Sequence, residues 1–479
     1  MVRTTTELSS ITLFLILAAG ACGTLSAQTG LPPSLPEAPR ASLLAQSEVA
    51  QSPSPSQPQA ATPSGGAAGQ LQRLTRTDAE QVAIKNNPRI SVGRLVALAQ
   101  HQVVRETRAA ELPTALASVT AEDALQASRI SAGTLTASRL FEHAAAGASA
   151  SQLITDFGRT RNLVLSSKLQ EKAQNASALA TVEDIVLATD QAFYNALQAQ
   201  ALLNVAKQNV ETRQTTDNQI SVMTKNKLKS TLDLSFADVN LSQAKLLLLD
   251  AQNNADSTMA ALDDVLGLDK EVIFDLEGGT DALQAPPSDE DQLLQLALQQ
   301  RPDLQALDYN HQATVKFSRA QRDQLLPNIS ALGTVGTVPV RPGSQYYVAN
   351  WWGGVGVNMN IPIFNGFLYT SQAKEATIRA QAAGEQTRDL RDHIVRDVRT
   401  SWLSANTAYQ RVAVTEELLK QANLALQLAQ TRYQMGLSSI VELSQAQFQQ
   451  TDAAIGNTNA QYQYRLSLTA LNFEIGATP

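Results

Sequence analysis

Residues 351–366 read WWGGVGVNMNIPIFNG, which is the pattern of a β-strand that ends at a turn. Apolar side chains alternate with small or polar side chains over about ten positions. About ten residues is also the length of a tilted strand that crosses a membrane. We therefore expect Val355, Val357, Met359 and Ile361 to face lipid, with the asparagines between them facing a polar lumen. Residues 329–338 are expected to form the partner strand, and an ordinary soluble hairpin is the alternative reading of this pattern.

A very long helix is predicted to follow this strand. No proline interrupts residues 363–478, and Gly436 lies 70 residues beyond Gly366, which corresponds to roughly 100 Å of helix. Ser439 and Glu442 have the spacing of a capping box, so a shorter returning helix should begin there. The turn between the two helices is predicted near residues 435–439.

The same plan occurs twice along the chain. Asn87-Pro88-Arg89-Ile90 and a following Leu-Pro at 112–113 match Arg301-Pro302-Asp303-Leu304 and Leu-Pro at 326–327, with an offset of 214. Farther on, Leu232-Asp233-Leu234-Ser235 matches Val441-Glu442-Leu443-Ser444 with an offset of 209. The offset changes within the predicted hairpin, where loops tolerate changes in length. The first copy is therefore predicted to have strands at 114–122 and 145–154 and a turn near 226–230, with Ser230 and Asp233 as its capping box.

These observations predict a mainly α-helical protein with a transmembrane β part, built from two repeats at 71–285 and 286–479. The N-terminal residues 1–27 have the pattern of a signal peptide, which implies export. Cleavage before Cys22 with lipidation is the alternative, because Ala19-Gly20-Ala21-Cys22 loosely resembles a lipobox. Residues 28–70 are rich in proline, serine and glutamine, and we expect a disordered leader there.

Composition excludes several classes of function. The net charge is −7 and no dense cluster of lysine or arginine is present, so nucleic acid is not an expected partner. Cys22 is the only cysteine, and the four histidines lack the spacing of metal ligands. No Walker-type loop or complete dinucleotide motif is found. We expect neither an enzyme nor a protein that needs a cofactor or metal.

Four strands per chain cannot close a barrel, and open strand edges are not stable in lipid. Other copies of the chain must therefore complete any membrane-spanning part.

The repeat and its motifs resemble the TolC-type outer-membrane efflux channels over about residues 71–477. Besides the paired Leu-Pro signals, the resemblance rests on three segments: Leu153-Ile154-Thr155-Asp156-Phe157-Gly158-Arg159, Pro362-Ile363-Phe364-Asn365-Gly366, and Arg432-Tyr433 followed by Gly436-Leu437-Ser438. The resemblance implies a homotrimer in which twelve strands form one β-barrel through the outer membrane. This barrel would be continuous with a periplasmic α-helical barrel.

The resemblance also implies roles for the helix-turn tips. Gate positions that hold an iris closed map onto Asp233, Tyr433, Glu442 and Gln445. Contacts with a periplasmic adaptor map onto two turns, Asn226-Lys227-Leu228 and Met435-Gly436-Leu437, although the first turn lacks the glycine of the second. The alternative is that Asp233 and Glu442 are only helix caps near the positive end of the helix dipole.

The function implied is that of a passive outer-membrane exit channel of a tripartite efflux or type I secretion system. Its partners would be a periplasmic adaptor, an inner-membrane transporter and outer-membrane lipid. The rival hypothesis is a periplasmic or surface coiled-coil structural protein without a pore.

Overall fold

The computed structural model describes residues 72–122, 129–132, 135–139, 143–268, 274–278, 283–337 and 351–477. The expected signal peptide and leader lie outside the described residues. The helices are α1 (Arg76–Asn86), α2 (Pro88–Ala109), α3 (Arg159–Lys225), α4 (Thr231–Leu266), α5 (Glu290–Gln300), α6 (Pro302–Asp323), α7 (Leu368–Gln434) and α8 (Ile440–Glu474). The strands are β1 (Gln72–Leu74), β2 (Thr114–Glu122), β3 (Arg129–Ala132), β4 (Leu135–Arg139), β5 (His143–Thr155), β6 (Phe274–Leu276), β7 (Asn328–Thr337) and β8 (Trp351–Asn360).

The predicted strands form one antiparallel sheet in the order β2-β5-β7-β8. Each of the four lies within two residues of its predicted bounds, and β7 and β8 pair along their whole length. Strands β2 and β8 are the two edges of this sheet. Two smaller pairs accompany it, an antiparallel β3-β4 hairpin and a parallel β1-β6 pair.

The register of the sheet separates apolar from polar side chains. Val357 lies opposite Ala331 and Met359 lies opposite Ile329, whereas Asn358 lies opposite Ser330. Directly paired residues share a face of an antiparallel sheet. One face is therefore lined mainly by valine, isoleucine, methionine and alanine, and the other mainly by asparagine, serine and threonine.

The long helices follow the predicted plan. Helices α3 and α7 each have 67 residues, and the returning helices α4 and α8 have 36 and 35. The two turns, between α3 and α4 and between α7 and α8, are at the predicted positions. At about 1.5 Å per residue, α3 and α7 are each roughly 100 Å long.

The returning helices end against the start of a helix that is distant in sequence. A Cβ on Gly267, at the end of α4, would lie 3.0 Å from the Asn86 carbonyl, and the Asn87 side-chain amide donates to the Val265 carbonyl at 2.9 Å. Similarly, a Cβ on Gly476 would lie 3.3 Å from the backbone nitrogen of Arg301. Both glycines have a φ of 69°, which strongly favours glycine. Helices α4 and α2 therefore abut end to end, as do α8 and α6.

Smaller elements cover one side of the long helices near these junctions. Helix α1 packs on α3 through a cluster that includes Ala83, Phe193 and Leu197, and α5 packs on α7 through Leu293 and Val398. Beneath α1, Arg76 bridges Glu80 at 2.8 Å and Asp190 at 2.9 Å. Burial and the nearby Asp190 raise the pKa of Glu80 to about 7.

None of the described helices combines the length and hydrophobicity required of a membrane-spanning helix.

Candidate functional site at the helix-turn tips

The two helix-turn tips have the same backbone despite different sequences. In the first, Leu228 N–H donates to the Met223 carbonyl at 2.9 Å, and in the second Leu437 N–H donates to Arg432 at 2.8 Å. Lys227 has a φ of 58° where Gly436 has a φ of 74°. Lys227 thus adopts a left-handed conformation that glycine usually adopts. The first turn keeps the same backbone although it lacks the glycine of the second turn.

The positions that the sequence analysis expects to contact an adaptor lie at the exposed ends of these turns. Leu228, Met435 and Leu437 are all exposed, as are Asn226 and Lys227. The first tip also carries Lys225 and Lys229, whereas the residues from Met435 to Ser438 are uncharged. The two tips therefore offer a basic and an apolar surface on the same backbone.

The acidic residues that open the returning helices have different partners. Asp233 completes the predicted capping box: its carboxylate accepts from Ser230 N–H at 3.3 Å, and the Ser230 hydroxyl accepts from Leu232 N–H at 2.9 Å. The predicted box at Ser439 and Glu442 is only half formed. Ser439 Oγ accepts from Glu442 N–H at 3.3 Å, but the Glu442 carboxylate lies 3.2 Å from Arg432 Nε instead. The prediction of a second capping box was wrong because the guanidinium of Arg432 is a stronger partner for the carboxylate than a neutral N–H.

Tyr433 packs against the helix-turn tip of the other repeat in the same chain. Lys229 Nζ lies 4.2 Å from the centre of the Tyr433 ring. This cation–π contact joins the two helical hairpins, α3–α4 and α7–α8. Burial and the nearby Asp233 raise the pKa of Tyr433. Its hydroxyl is buried and has no hydrogen-bond partner among the described residues. The structure thus brings Tyr433 and Asp233 together, places Glu442 beside Arg432, and leaves Gln445 exposed on the next turn of α8.

A small apolar core holds the two hairpins together behind the tips. Its buried members come from all four long helices and are Ile220, Ala237, Ala429, Tyr433, Ile440, Leu443 and Ala446. Burial of these side chains favours the packed arrangement of the tips.

A buried polar network continues this contact between α3 and α8. Arg213 is 8% exposed and donates through Nη1 to the Gln447 side-chain carbonyl. Gln447 is 3% exposed, and its amide nitrogen donates to Thr216 Oγ1 at 3.1 Å. Arg213 Nε donates to Asn209 Oδ1 at 3.3 Å, which also accepts from Thr451 at 3.2 Å. Burial lowers the pKa of Arg213, and none of its partners in this network is a carboxylate.

Sequence reasoning did not find this network, since glutamine and arginine are ordinary on exposed faces of helices. Its only signal is that Ala446 and Gln447 lie three and four residues after Leu443, which is the spacing of a buried helix face. The packing of the two helical hairpins at the tips therefore depends on contacts between the repeats. A relative movement of the hairpins would have to break the bonds of Gln447 and the contact between Lys229 and Tyr433.

Among the described residues, no group of three or more histidine, cysteine, aspartate or glutamate side chains is arranged to hold a metal ion.

Residues 293–477 match the family model described as "Outer membrane efflux protein". The outer membrane protein TolC of Salmonella enteritidis is 25% identical over 122 residues, which is 26% of this chain and 25% of that protein. The match thus spans about a quarter of the curated relative.

Similarity in fold extends over most of the chain. The solved structure of CusC, described as a transmembrane channel, has a TM-score of 0.74 at 19% identity and covers 84% of this chain and 92% of its own. The outer membrane protein VceC from Vibrio cholerae has a TM-score of 0.71 at 18% identity, covering 84% and 96%. Residues 293–477 thus match the outer membrane efflux family model, and most of the chain shares its fold with solved outer-membrane channel proteins.

Proposed function

We propose that this protein is a passive exit channel in the bacterial outer membrane, part of a tripartite efflux or type I secretion system. Three copies form a twelve-stranded barrel that continues into an α-helical tunnel. A periplasmic adaptor binds the helix-turn tips, and an inner-membrane transporter supplies the energy. The unit of this design is the repeat, with proposed boundaries at 71–285 and 286–479.

The observation that carries this proposal is the open four-stranded sheet. Its edges, β2 and β8, have no partner strand among the described residues, and its apolar face is exposed, with Val355 94% accessible. An open sheet with an apolar face and two free edges is unstable in water and in lipid. Pairing of β8 with β2 of the next copy satisfies both edges, and three copies supply twelve strands.

Aromatic side chains mark the two ends of the apolar face. Trp351 and Trp352 begin β8, and the exposed Phe364 and Phe367 follow its other end. Ten residues separate Trp351 from Ile361, which at about 3.4 Å per residue and a tilt near 40° spans roughly 25 Å of membrane. This spacing is that of the aromatic girdles of transmembrane barrels, and it supports the lipid-facing assignment of Val355, Val357, Met359 and Ile361.

The long helices carry apolar faces that a single chain leaves uncovered. On α4 these include Leu232, Val239 and Leu246, spaced by seven residues, and on α7 they include Val414 and Leu428. A seven-residue repeat is the pattern of a helix that packs on a neighbour. In the proposed trimer, neighbouring copies of the chain cover these apolar faces.

The rival function, a structural coiled-coil protein without a pore, accounts for the helices but leaves the apolar sheet face unexplained. Extraction from the outer-membrane fraction distinguishes the two. We expect the protein to require detergent and amine crosslinking to stop at three chains. A water-soluble monomer or a coiled-coil dimer would refute the channel.

The direction of the sheet faces has its own test. In a variant with Cys22→Ser, single substitutions Val357→Cys and Asn358→Cys are matched neighbours on β8. We expect a membrane-dissolved reagent to label the first and a water-soluble reagent to label the second. Equal labelling of both by the water-soluble reagent would show that the proposed lipid face is wrong.

A further inference from the structure

A polar groove runs along α3, α7 and α8 at mid-length. Its main part has a volume of 820 Å³, and a second part of 370 Å³ shares Ser404, Gln463 and Ser467 with the first. Both parts are far from the helix-turn tips in sequence and share none of the gate residues.

Arg411 is the single charged side chain among the residues that line either part of the groove. It is exposed, and its guanidinium has no ion pair or hydrogen bond among the described residues. Two other arginines of α7 are paired with carboxylates: Arg399 lies 3.0 Å from Glu290 and Arg432 lies 3.2 Å from Glu442. The groove therefore contains an unneutralised positive charge surrounded by amides and hydroxyls.

Gly456 lines the same groove from the middle of α8. Glycine destabilises a helix interior relative to alanine, so its presence calls for a reason. Close packing is not that reason, because a Cβ added to Gly456 would meet nothing within 4 Å. The glycine instead leaves the wall of the groove open.

The groove lies on the uncovered side of the long helices. Helix α1 covers the face of α3 that carries Phe193 and Leu197, and Gln191, Asn195 and Gln198 of the groove lie on a different face of that helix. On α7, Trp402 donates to the Pro287 carbonyl at 2.7 Å on the side covered by α5 and its preceding segment. In the proposed trimer this places the groove on the wall of the tunnel, and the inference that follows rests on that function.

We propose that the groove is a transit site for soluble organic anions. A carboxylate, sulfonate or phosphate group pairs with the guanidinium of Arg411, whose planar fork suits such groups. Asn459 and Gln463 hydrogen-bond the polar parts of the solute, and Leu403 and Ala408 contact its apolar parts. One exposed cation gives weak binding, which a conducting pathway requires for release.

The test is current block in planar bilayers that contain the purified full-length trimer, with naphthalene disulfonate as the probe. We expect the wild type to be blocked and Arg411→Gln to need about tenfold more probe for the same block. Arg411→Lys keeps the charge and should retain part of the block. Lys374→Gln is the matched control, because it removes one positive charge from the same helix outside the groove.

A second variant tests the groove without changing charge. Gly456→Leu should fill it and weaken the block while leaving the K⁺/Cl⁻ reversal potential unchanged. Equal block of the wild type and Arg411→Gln, or equal loss in Lys374→Gln, would overturn the inference while leaving the channel itself intact. If the wild type forms no conducting pore, the proposed function fails first.

Discussion

Replacing Gln447 by leucine should open the tips. Gln447 accepts a hydrogen bond from the buried Arg213 and donates one to Thr216. It therefore connects the helical hairpin of the second repeat to that of the first repeat in the same chain. The Gln447→Leu change keeps a similar volume but leaves the Arg213 guanidinium buried without this acceptor. A hydrogen bond to a charged group contributes about 2 kcal/mol. Separation of the hairpins would expose Arg213 to water, so this cost falls on the closed arrangement alone.

The effect is multiplied by the proposed trimer. One chain at about 2 kcal/mol shifts the equilibrium between closed and open tips roughly 30-fold, and three chains shift it by about 6 kcal/mol. About 5.5 kcal/mol is enough to turn a population that is 1% open into one that is 99% open. Single-channel recording in planar bilayers should therefore show long-lived high-conductance openings in the variant that are rare in the wild type.

Gln450→Leu is the matched control for this experiment. It is the same substitution three residues further along α8, but Gln450 donates to Asn423 of α7 at 3.1 Å, within a single hairpin. We expect conductance like that of the wild type. The double change Arg213→Leu with Gln447→Leu removes both buried partners and should restore the closed behaviour. The reasoning is refuted if Gln447→Leu trimers stay closed, or if Gln450→Leu opens them equally.

Further predictions concern the junction, the turns and the mouth. Because the pKa of Glu80 is raised to about 7, the neutral carboxyl group stabilises the folded state by at most about 3 kcal/mol. This stabilisation is complete below the ordinary pKa of glutamate and is lost as the pH rises through 7. Hydrogen exchange of α1, corrected for intrinsic rates, should therefore speed up between pH 6 and 8 in the wild type but not in Glu80→Gln. Lys227→Gly should increase protection of the first tip by about 1 kcal/mol, since it relieves a left-handed conformation; less protection would show that the lysine is not strained there. Asp233→Asn combined with Glu442→Gln should lower cation selectivity in bilayers more than either change alone, because the double change removes both carboxylates. Loss of Glu442 also leaves Arg432 unpaired. Unchanged selectivity with a lower melting temperature would mean that both acids are only helix caps.

The sequence predicts the long helices, the strands and the turns because each depends on local signals. Proline-free stretches, alternation over about ten residues and capping serines are visible within a short window. The parallel pair of β1 with β6 has no such signal. Its strands are three residues long and are separated by almost two hundred positions, so neither periodicity nor length marks them.

The candidate site was predictable in position but not in its contacts. The repeat locates Asp233 and Glu442 at equivalent turns, yet one carboxylate caps its helix and the other pairs with Arg432. That difference depends on which cation lies across the turn. The contact of Gln447 with Arg213 likewise depends on the packing of α8 against α3, which the sequence of either helix alone does not specify.

The equal length of α3 and α7 restricts how the gene can change. Both helices have 67 residues. The returning helix that follows each of them ends at a fixed junction, where a glycine meets the start of a distant helix. An insertion in α3 alone would displace one tip along the bundle and separate the residues that hold the tips together. Only matched insertions in all four long helices, in steps of about seven residues, would preserve their contacts. The β-hairpins have no such requirement, and the five-residue difference between the two repeats lies in them. We therefore expect length variation among relatives to accumulate in the hairpin loops, while the helical part changes in whole heptads or not at all.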